Sequence, residues 1–266
     1  MRSLLTFFLR NGIHSRRTLW MAVLGFFPVG AAVLNWMAGS FLQGEGISLF
    51  GLFPQLGLLL FINLLIPLTT IFIGSAVIAD EVEEGTLPYL LVRPVWRGWI
   101  VLAKLMAGAV TLAVILSTSL LLTYTVLVSR GESGGWVANI SILLKAEWVL
   151  LLAVVAYLPL FALVGGLVKR PVLLGLLFAF GWEPMVAFLP GNIKLMTVVH
   201  YLHEIFPAVA DSSGGDMRSM IFGSVLPARE ISDLSAVLIL LGIAVVFSVF
   251  SMALLSIREY RLEPGD

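Results

Sequence analysis

The 266-residue chain contains no cysteine, which excludes disulfides, thiol nucleophiles and Cys-ligated zinc or iron–sulfur centres. It is also poor in charge, with 12% charged against 59% hydrophobic residues and a mean hydropathy of +1.03. A soluble domain carries about 25% charged and about 45–50% apolar residues, so an ordinary water-soluble fold is excluded. Lys and Arg number 16 and so do Asp and Glu, for a formal charge of zero. The basic footprint of a nucleic-acid binder is therefore missing. The phosphate-binding pattern G-x-x-x-x-G-K-[ST] is absent as well. Gly165-Gly166 leads to Lys169-Arg170 without the required order of glycine, lysine and hydroxyl, so no nucleotide-hydrolysing site is expected in this sequence.

What is present is apolar and comes in blocks. Uncharged stretches run Thr18–Gly44, Gly46–Ala79, Leu105–Ser129, Trp148–Val168 and Leu234–Ile257, and Pro171–Pro190 joins them if Glu183 is tolerated inside it. A helix crosses a bilayer core with about 20 apolar residues. The blocks predict an all-α membrane protein with six spans at about 18–42, 53–79, 100–128, 143–168, 171–190 and 234–257. Residues 18–266 then form a single transmembrane domain, because no stretch between spans is long enough for its own core. Met1, Leu4, Leu5, Phe8 and Leu9 share one helical face opposite Arg2, Thr6, Arg10 and Arg17. Residues 1–17 are thus expected to lie at the headgroups as an amphipathic helix. The alternative, a signal peptide ending near Ala38-Gly39-Ser40, suffers from an apolar block too long for an h-region.

Lys and Arg residues set the orientation. Arg2, Arg10, Arg16, Arg17, Arg93, Arg97, Lys104, Lys169, Arg170, Arg258 and Arg261 fall on one side of the six spans. Arg130, Lys145, Lys194, Arg218 and Arg229 fall on the other. Both termini are therefore expected in the cytoplasm.

Polar residues inside apolar blocks are costly and are candidates for function. Asn63 and Pro67 interrupt the second block, where Pro67 is expected to kink the helix. Glu183, followed by Pro184, sits inside the fifth. All three are candidates for a substrate pathway, with a kink and a structural cap or ion pair as the plainer accounts. His200, His203 and Glu204 share a helical face at metal-ligand spacing, but the H-E-x-x-H order and a fourth ligand are missing. They read better as polar groups of an external interfacial helix between the last two spans. The apolar islands Leu195–Ala210 and Met220–Leu226 suggest membrane-hugging external helices there, placed to gate an exit.

Between the second and third blocks lies Asp80-Glu81-Val82-Glu83-Glu84-Gly85-Thr86-Leu87-Pro88, followed by Leu90-Leu91, Arg93, Pro94 and Arg97. Carboxylates suit the first turn of a helix and Pro94 suits its end. The segment thus reads as a short charged helix rather than a floppy loop, although a solvated turn that stops transfer also fits the pattern. Glu81-x-Glu83-x-Gly85-Thr86-Leu87, Leu90-Leu91, Pro94, Arg97 and Lys104 resemble the E-x-E-x-G-T-L…LL…P…R…K signature of ABC transporter permeases of the type-two exporter class. Trp182-Glu183…Leu189-Pro190-Gly191 is similar to a second stretch of that family. Pro88, and Trp96 with Trp99 around Arg97, depart from the usual pattern and bear on where the coupling helix begins and how it docks.

The resemblance implies a permease of the inner, cytoplasmic membrane that works in lipid as an exporter. It implies a coupling helix at 80–97 docking on a separate ATP-binding subunit through Glu81, Glu83, Glu84, Gly85, Thr86, Leu87, Pro94, Arg97 and Lys104. ATP and Mg would be held by that partner, with no cofactor in this chain, and a second copy or a sister permease would complete the pore. The rival classes are stand-alone membrane proteins. An intramembrane hydrolase would need more than Gly74-Ser75 or Gly223-Ser224. A secondary transporter would need repeats or several midplane charges.

Overall fold

A computed structural model of the chain describes residues 16–38, 53, 56–83, 97–129, 136–187, 192–206 and 232–257. Every element among these residues is helical. Helices α1 (Arg16–Gly25) and α2 (Phe27–Ala38) form one apolar rod broken at Phe26. The break has a local cause. Pro28 lacks the N–H that would close the helix onto the Leu24 carbonyl. Val29 and Gly30 instead donate to the Phe26 carbonyl.

The second block begins as a π-helical stretch, Gly57–Leu65, and continues as α3 (Ile66–Glu83). A second π-helical stretch, Leu177–Trp182, joins α6 (Pro171–Leu176) to α7 (Glu183–Ala187). The two are built alike. Ile66 closes the first on the Phe61 carbonyl and Glu183 closes the second on the Phe178 carbonyl, each reaching five residues back, and the next residue is Pro67 or Pro184. A proline contributes no N–H and its ring crowds the preceding turn, so the helix widens on its N-terminal side. Pro67 is therefore embedded in a widened helix.

Three long helices complete the frame, α4 (Arg97–Val128), α5 (Ile140–Leu167) and, after α8 (Val198–Ile205), α9 (Asp233–Ile257). A short 3₁₀ turn, Asn192–Met196, precedes α8. Among the described residues, five helical stretches are long and apolar enough to cross a membrane, namely Thr18–Met37, Leu59–Ile78, Gly98–Val128, Ile140–Leu167 and Asp233–Leu255. Among the described residues the block expected as a fifth span is represented by a shorter apolar helix, Pro171–Val186. The chain is a multi-pass membrane protein. Helix α4, at 32 residues, is about 48 Å long and exceeds a hydrocarbon core of about 30 Å.

Several threonine hydroxyls in these helices find acceptors one turn back on their own helix. Thr69 donates to the Leu65 carbonyl at 2.6 Å and Thr111 to Ala107 at 2.9 Å. Thr123 donates to Ser119 at 2.9 Å, and Thr70 to Ile66.

Helix α5 is the centre of the bundle, packed by α3, α4, α6 and α9. Its apolar stretch is 78% buried among the described residues, against 22% for α1–α2 and 17% for α9. The α3–α5 contact is backbone on backbone. A Cβ on Gly74 would stand 2.9 Å from the Leu158 carbonyl oxygen, and one on Gly165 would meet the Ser75 carbonyl and stand 2.8 Å from Ser75 Cα. Small residues on facing helices let backbones approach in this way. Ser75, one half of the Gly74-Ser75 pair considered above as a nucleophile, is buried in that contact.

Candidate functional site

Two ends of the bundle carry the residues that the sequence singles out. One end holds the 80–97 segment. Helix α3 runs on through Asp80, Glu81 and Glu83, instead of stopping at Ala79 as the hydropathy suggests. Glutamate is a good helix former and no breaker occurs before Gly85, so the acidic run extends the span. Asp80, Glu81 and Glu83 thus continue the long helix α3 as far as the described residues reach. Glu84, Gly85, Thr86, Leu87 and Pro94, and with them the expected coupling helix, lie outside the described residues, as does nearly all of the 1–17 helix. Arg97 opens α4.

Lys104, two turns into α4, is half-buried and donates from Nζ to the Val77 carbonyl of α3 at 3.3 Å. Lys104 thus ties α3 to α4 beside the motif.

The opposite end holds α8, and here the sequence-predicted residues converge. Glu183 is fully buried. Its Oε2 accepts from the Tyr157 hydroxyl of α5, and its Oε1 accepts from the Val198 N–H at 3.2 Å. The Val199 N–H also points to this carboxylate. These are the first two amides of α8, which lack partners inside the helix. Thr197, at the position before them, makes no side-chain cap. Glu183 therefore caps α8 from another helix, and the dipole of α8 favours its charge. The Tyr157 ring stacks on Phe161, with centroids 5.8 Å apart, and Phe161 meets Phe178 edge-on at 6.3 Å, so the hydroxyl is held by a rigid aromatic row.

The other end of α8 is tied to the widened part of the second span. His203 Nε2 and Asn63 Oδ1 lie 2.8 Å apart, across 140 residues of sequence. Just beyond, the Phe206 ring occupies the space a side chain on Gly57 would need. Only a glycine admits that approach at position 57. Tyr201 donates to the Leu195 carbonyl at 2.7 Å, fixing α8 on the preceding turn, and burial holds its phenol above the ordinary range as a neutral donor. The buried side of α8 is Val198, Val199, Tyr201 and Leu202, lying against α5, α9 and the π-helical stretch of the second span.

The structure therefore joins Asn63, Glu183 and His203 around one helix, and places Pro67 one turn beyond Asn63. His200 faces the ring of Tyr201, with centroids 5.6 Å apart, and Glu204 is half-buried next to His203. Among the described residues no three of His, Asp and Glu converge as a metal site would need. The sequence did not point to Tyr157, an ordinary residue in an apolar run, nor to Gly57, Gly74 and Gly165 as contact points. Glu183 was signalled by its charge inside an apolar block and by the Trp182-Glu183…Leu189-Pro190-Gly191 resemblance, whereas Gly74 and Gly165 offered only their small size.

A family model described as ABC-2 family transporter protein matches residues 9–260. No curated protein matches the chain.

Proposed function

The chain belongs to the ABC-2 family of transporter proteins, and from that premise we propose that it is the permease subunit of an ABC exporter whose ATP is hydrolysed by a separate subunit docked on residues 80–97. The family match over nearly the whole chain carries this reading. The E-x-E-x-G-T-L signature at 81–87 supports the docking site, since α3 delivers its first carboxylates to one end of the bundle. Under this reading 171–190 is the fifth of six spans, and both termini face the cytoplasm at the inner membrane. A second copy or a sister permease completes the assembly. ATP and Mg belong to the partner.

The arrangement of α3, α5 and α8 offers a route for the work. A push on 80–97 acts on the end of α3. The backbone contact at Gly74 and Gly165 makes α3 and α5 move together, because close-packed helices transmit displacement rather than absorb it. At the far end the same two helices hold α8, through Asn63 and through Tyr157 with Glu183. Asn63, Pro67 and Glu183 then border the substrate path as the frame of α8. Their polar groups serve the helix rather than reaching for cargo.

The test is co-purification from the native host of the tagged chain with an ATP-binding-cassette subunit, in wild type and in Glu81→Arg/Glu83→Arg. Recovery with wild type and loss on charge reversal, with the chain itself still folded and inserted, is the expected result. Absence of any such subunit from the wild-type preparation sinks the proposal.

A further inference from the structure

We propose that the last span, α9, is keyed into the α3–α5 contact at Gly166, so that α3, α5 and α9 move as one unit at the end of the bundle where the 80–97 segment begins. The inference deepens the transport reading and rests on it for its purpose, but the first part of its test needs no ATPase.

Gly165 and Gly166 are neighbours on α5, so they face about 100° apart around that helix. Gly165 takes the backbone of α3 at Ser75. A Cβ on Gly166 would stand 2.4 Å from Leu254 Cδ2 of α9, and 3.3 Å from Cδ1 and Cγ2 of Ile78 on α3. Ile78 is buried and lies three residues after Ser75, hence on the same face of α3. One turn of α5 therefore receives both neighbours. A leucine of α9 and an isoleucine of α3 share the notch beside Gly166.

A second contact seats α9 one turn earlier. Ser251 is fully buried and donates from Oγ to the Pro159 carbonyl inside α5 at 3.3 Å. Ser251 and Leu255 are four residues apart on one face, and the buried Ala236, Leu240 and Ala244 extend it toward the start of α9. In lipid an apolar surface does not choose its neighbour, so close fit at small residues and hydrogen bonds between helices decide where a span seats. For α9, whose apolar stretch is 17% buried among the described residues, Gly166 and Ser251 supply them. Interdigitated side chains transmit displacement, so a shift of Ile78 at the end of α3 reaches Leu254. Helix α9 also packs against α8, which gives that movement a second path to the far end. Gly166, Ser251 and Leu254 are positioning residues, acting through α9.

The natural absence of cysteine makes the test direct. Leu255→Cys and Ala236→Cys are made singly in the full-length chain, at buried positions toward the two ends of α9. The rate of N-ethylmaleimide labelling in nanodiscs reads how often each end lifts off the bundle. Gly166→Ala, which drives Leu254 from the notch, should raise labelling at 255 about fivefold, the low end of the cost of overpacking, and leave 236 within about twofold. Ser251→Ala should raise labelling at 255 about threefold. In a Leu254→Ala background the clashing atom is gone, and Gly166→Ala should then change the rate by less than about twofold. Gly242→Ala, with nothing within 4 Å of the new Cβ, is the control on α9 itself. In the complex with an ATP-binding-cassette subunit, ATP should change the rate at 255, and Gly166→Ala should abolish that response while Gly242→Ala keeps it. Unchanged labelling at 255 in Gly166→Ala, or an equal effect of Gly166→Ala with and without the Leu254 side chain, overturns the proposal. So does a wild-type complex that hydrolyses ATP with no change at 255. Failure to recover any ATPase counts against the transport reading instead, and labelling of the chain alone still decides whether α9 is keyed at Gly166.

Discussion

Gly165→Ala is the sharpest perturbation of the α3–α5 contact. The new Cβ would meet the Ser75 carbonyl oxygen and stand 2.8 Å from Ser75 Cα and 2.9 Å from its carbonyl carbon. All three are backbone atoms in a helix, so no rotamer change relieves them. Ordinary contact begins at 3.4 Å, so the helices must part by at least about 0.6 Å (3.4 less 2.8) at this point. Overpacking of a tight interior costs about 1–3 kcal/mol, and alanine returns up to about 1 kcal/mol through helix propensity. The middle of that cost less the full gain leaves a net loss of about 1 kcal/mol, which lowers Tm by about 2–4 °C for a chain of this size. Gly242→Ala is the control, since nothing lies within 4 Å of a Cβ there. It should leave Tm unchanged or raise it. The assay is tryptophan-fluorescence thermal denaturation in detergent, with size-exclusion chromatography to show intact protein. If Gly165→Ala melts with the wild type, α3 and α5 are not in backbone contact, and the proposed rigid pair goes with it.

Two further predictions concern the ends of that pair. Tyr157→Phe removes one donor to Glu183 and should cost about 1 kcal/mol, whereas Glu183→Ala leaves the Tyr157 hydroxyl and the first amides of α8 without an acceptor and should cost about 3 kcal/mol or more. Hydrogen exchange at Val198 and Val199 should accelerate in both, and a Glu183→Ala protein with wild-type exchange there would refute the cap. Lys104→Met keeps the packed stem and loses the bond to the Val77 carbonyl, for an expected loss of about 1 kcal/mol. A Tm unchanged by Lys104→Met, together with loss of the ATPase, would instead assign Lys104 to docking alone.

Much of the frame was legible because the bilayer is a simple selector. The apolar blocks lead to an all-helical chain with several helices long enough to cross a membrane, and the described residues have that character. The departures have local causes. Pro28 splits the first rod, the helix-forming Glu81 and Glu83 carry α3 beyond Ala79, and Pro184 follows a widened turn in the fifth block. Asn63 and Glu183 were visible as polar residues out of place, and His203 as one of three histidines. Their common purpose was not visible, because nothing local in the sequence says that positions 63 and 203 meet.

What the sequence determined by itself is the membrane and the helices. A backbone in hydrocarbon must satisfy its own hydrogen bonds, so an apolar run of sufficient length has little choice but to be helical. Which helices lie inside was decided only by tertiary structure. Helix α9 is the more apolar, with mean hydropathy 2.8, yet its window is 17% buried, while that of α5, at 2.5, is 78% buried. In water an apolar face must turn inward, and the pattern reveals it. In lipid a leucine is equally at home facing tails or neighbours, so hydropathy marks no inward face. The choice falls to shape and to a few polar groups, here Gly74 and Gly165 between two backbones and Asn63 and Glu183 at the two ends of α8.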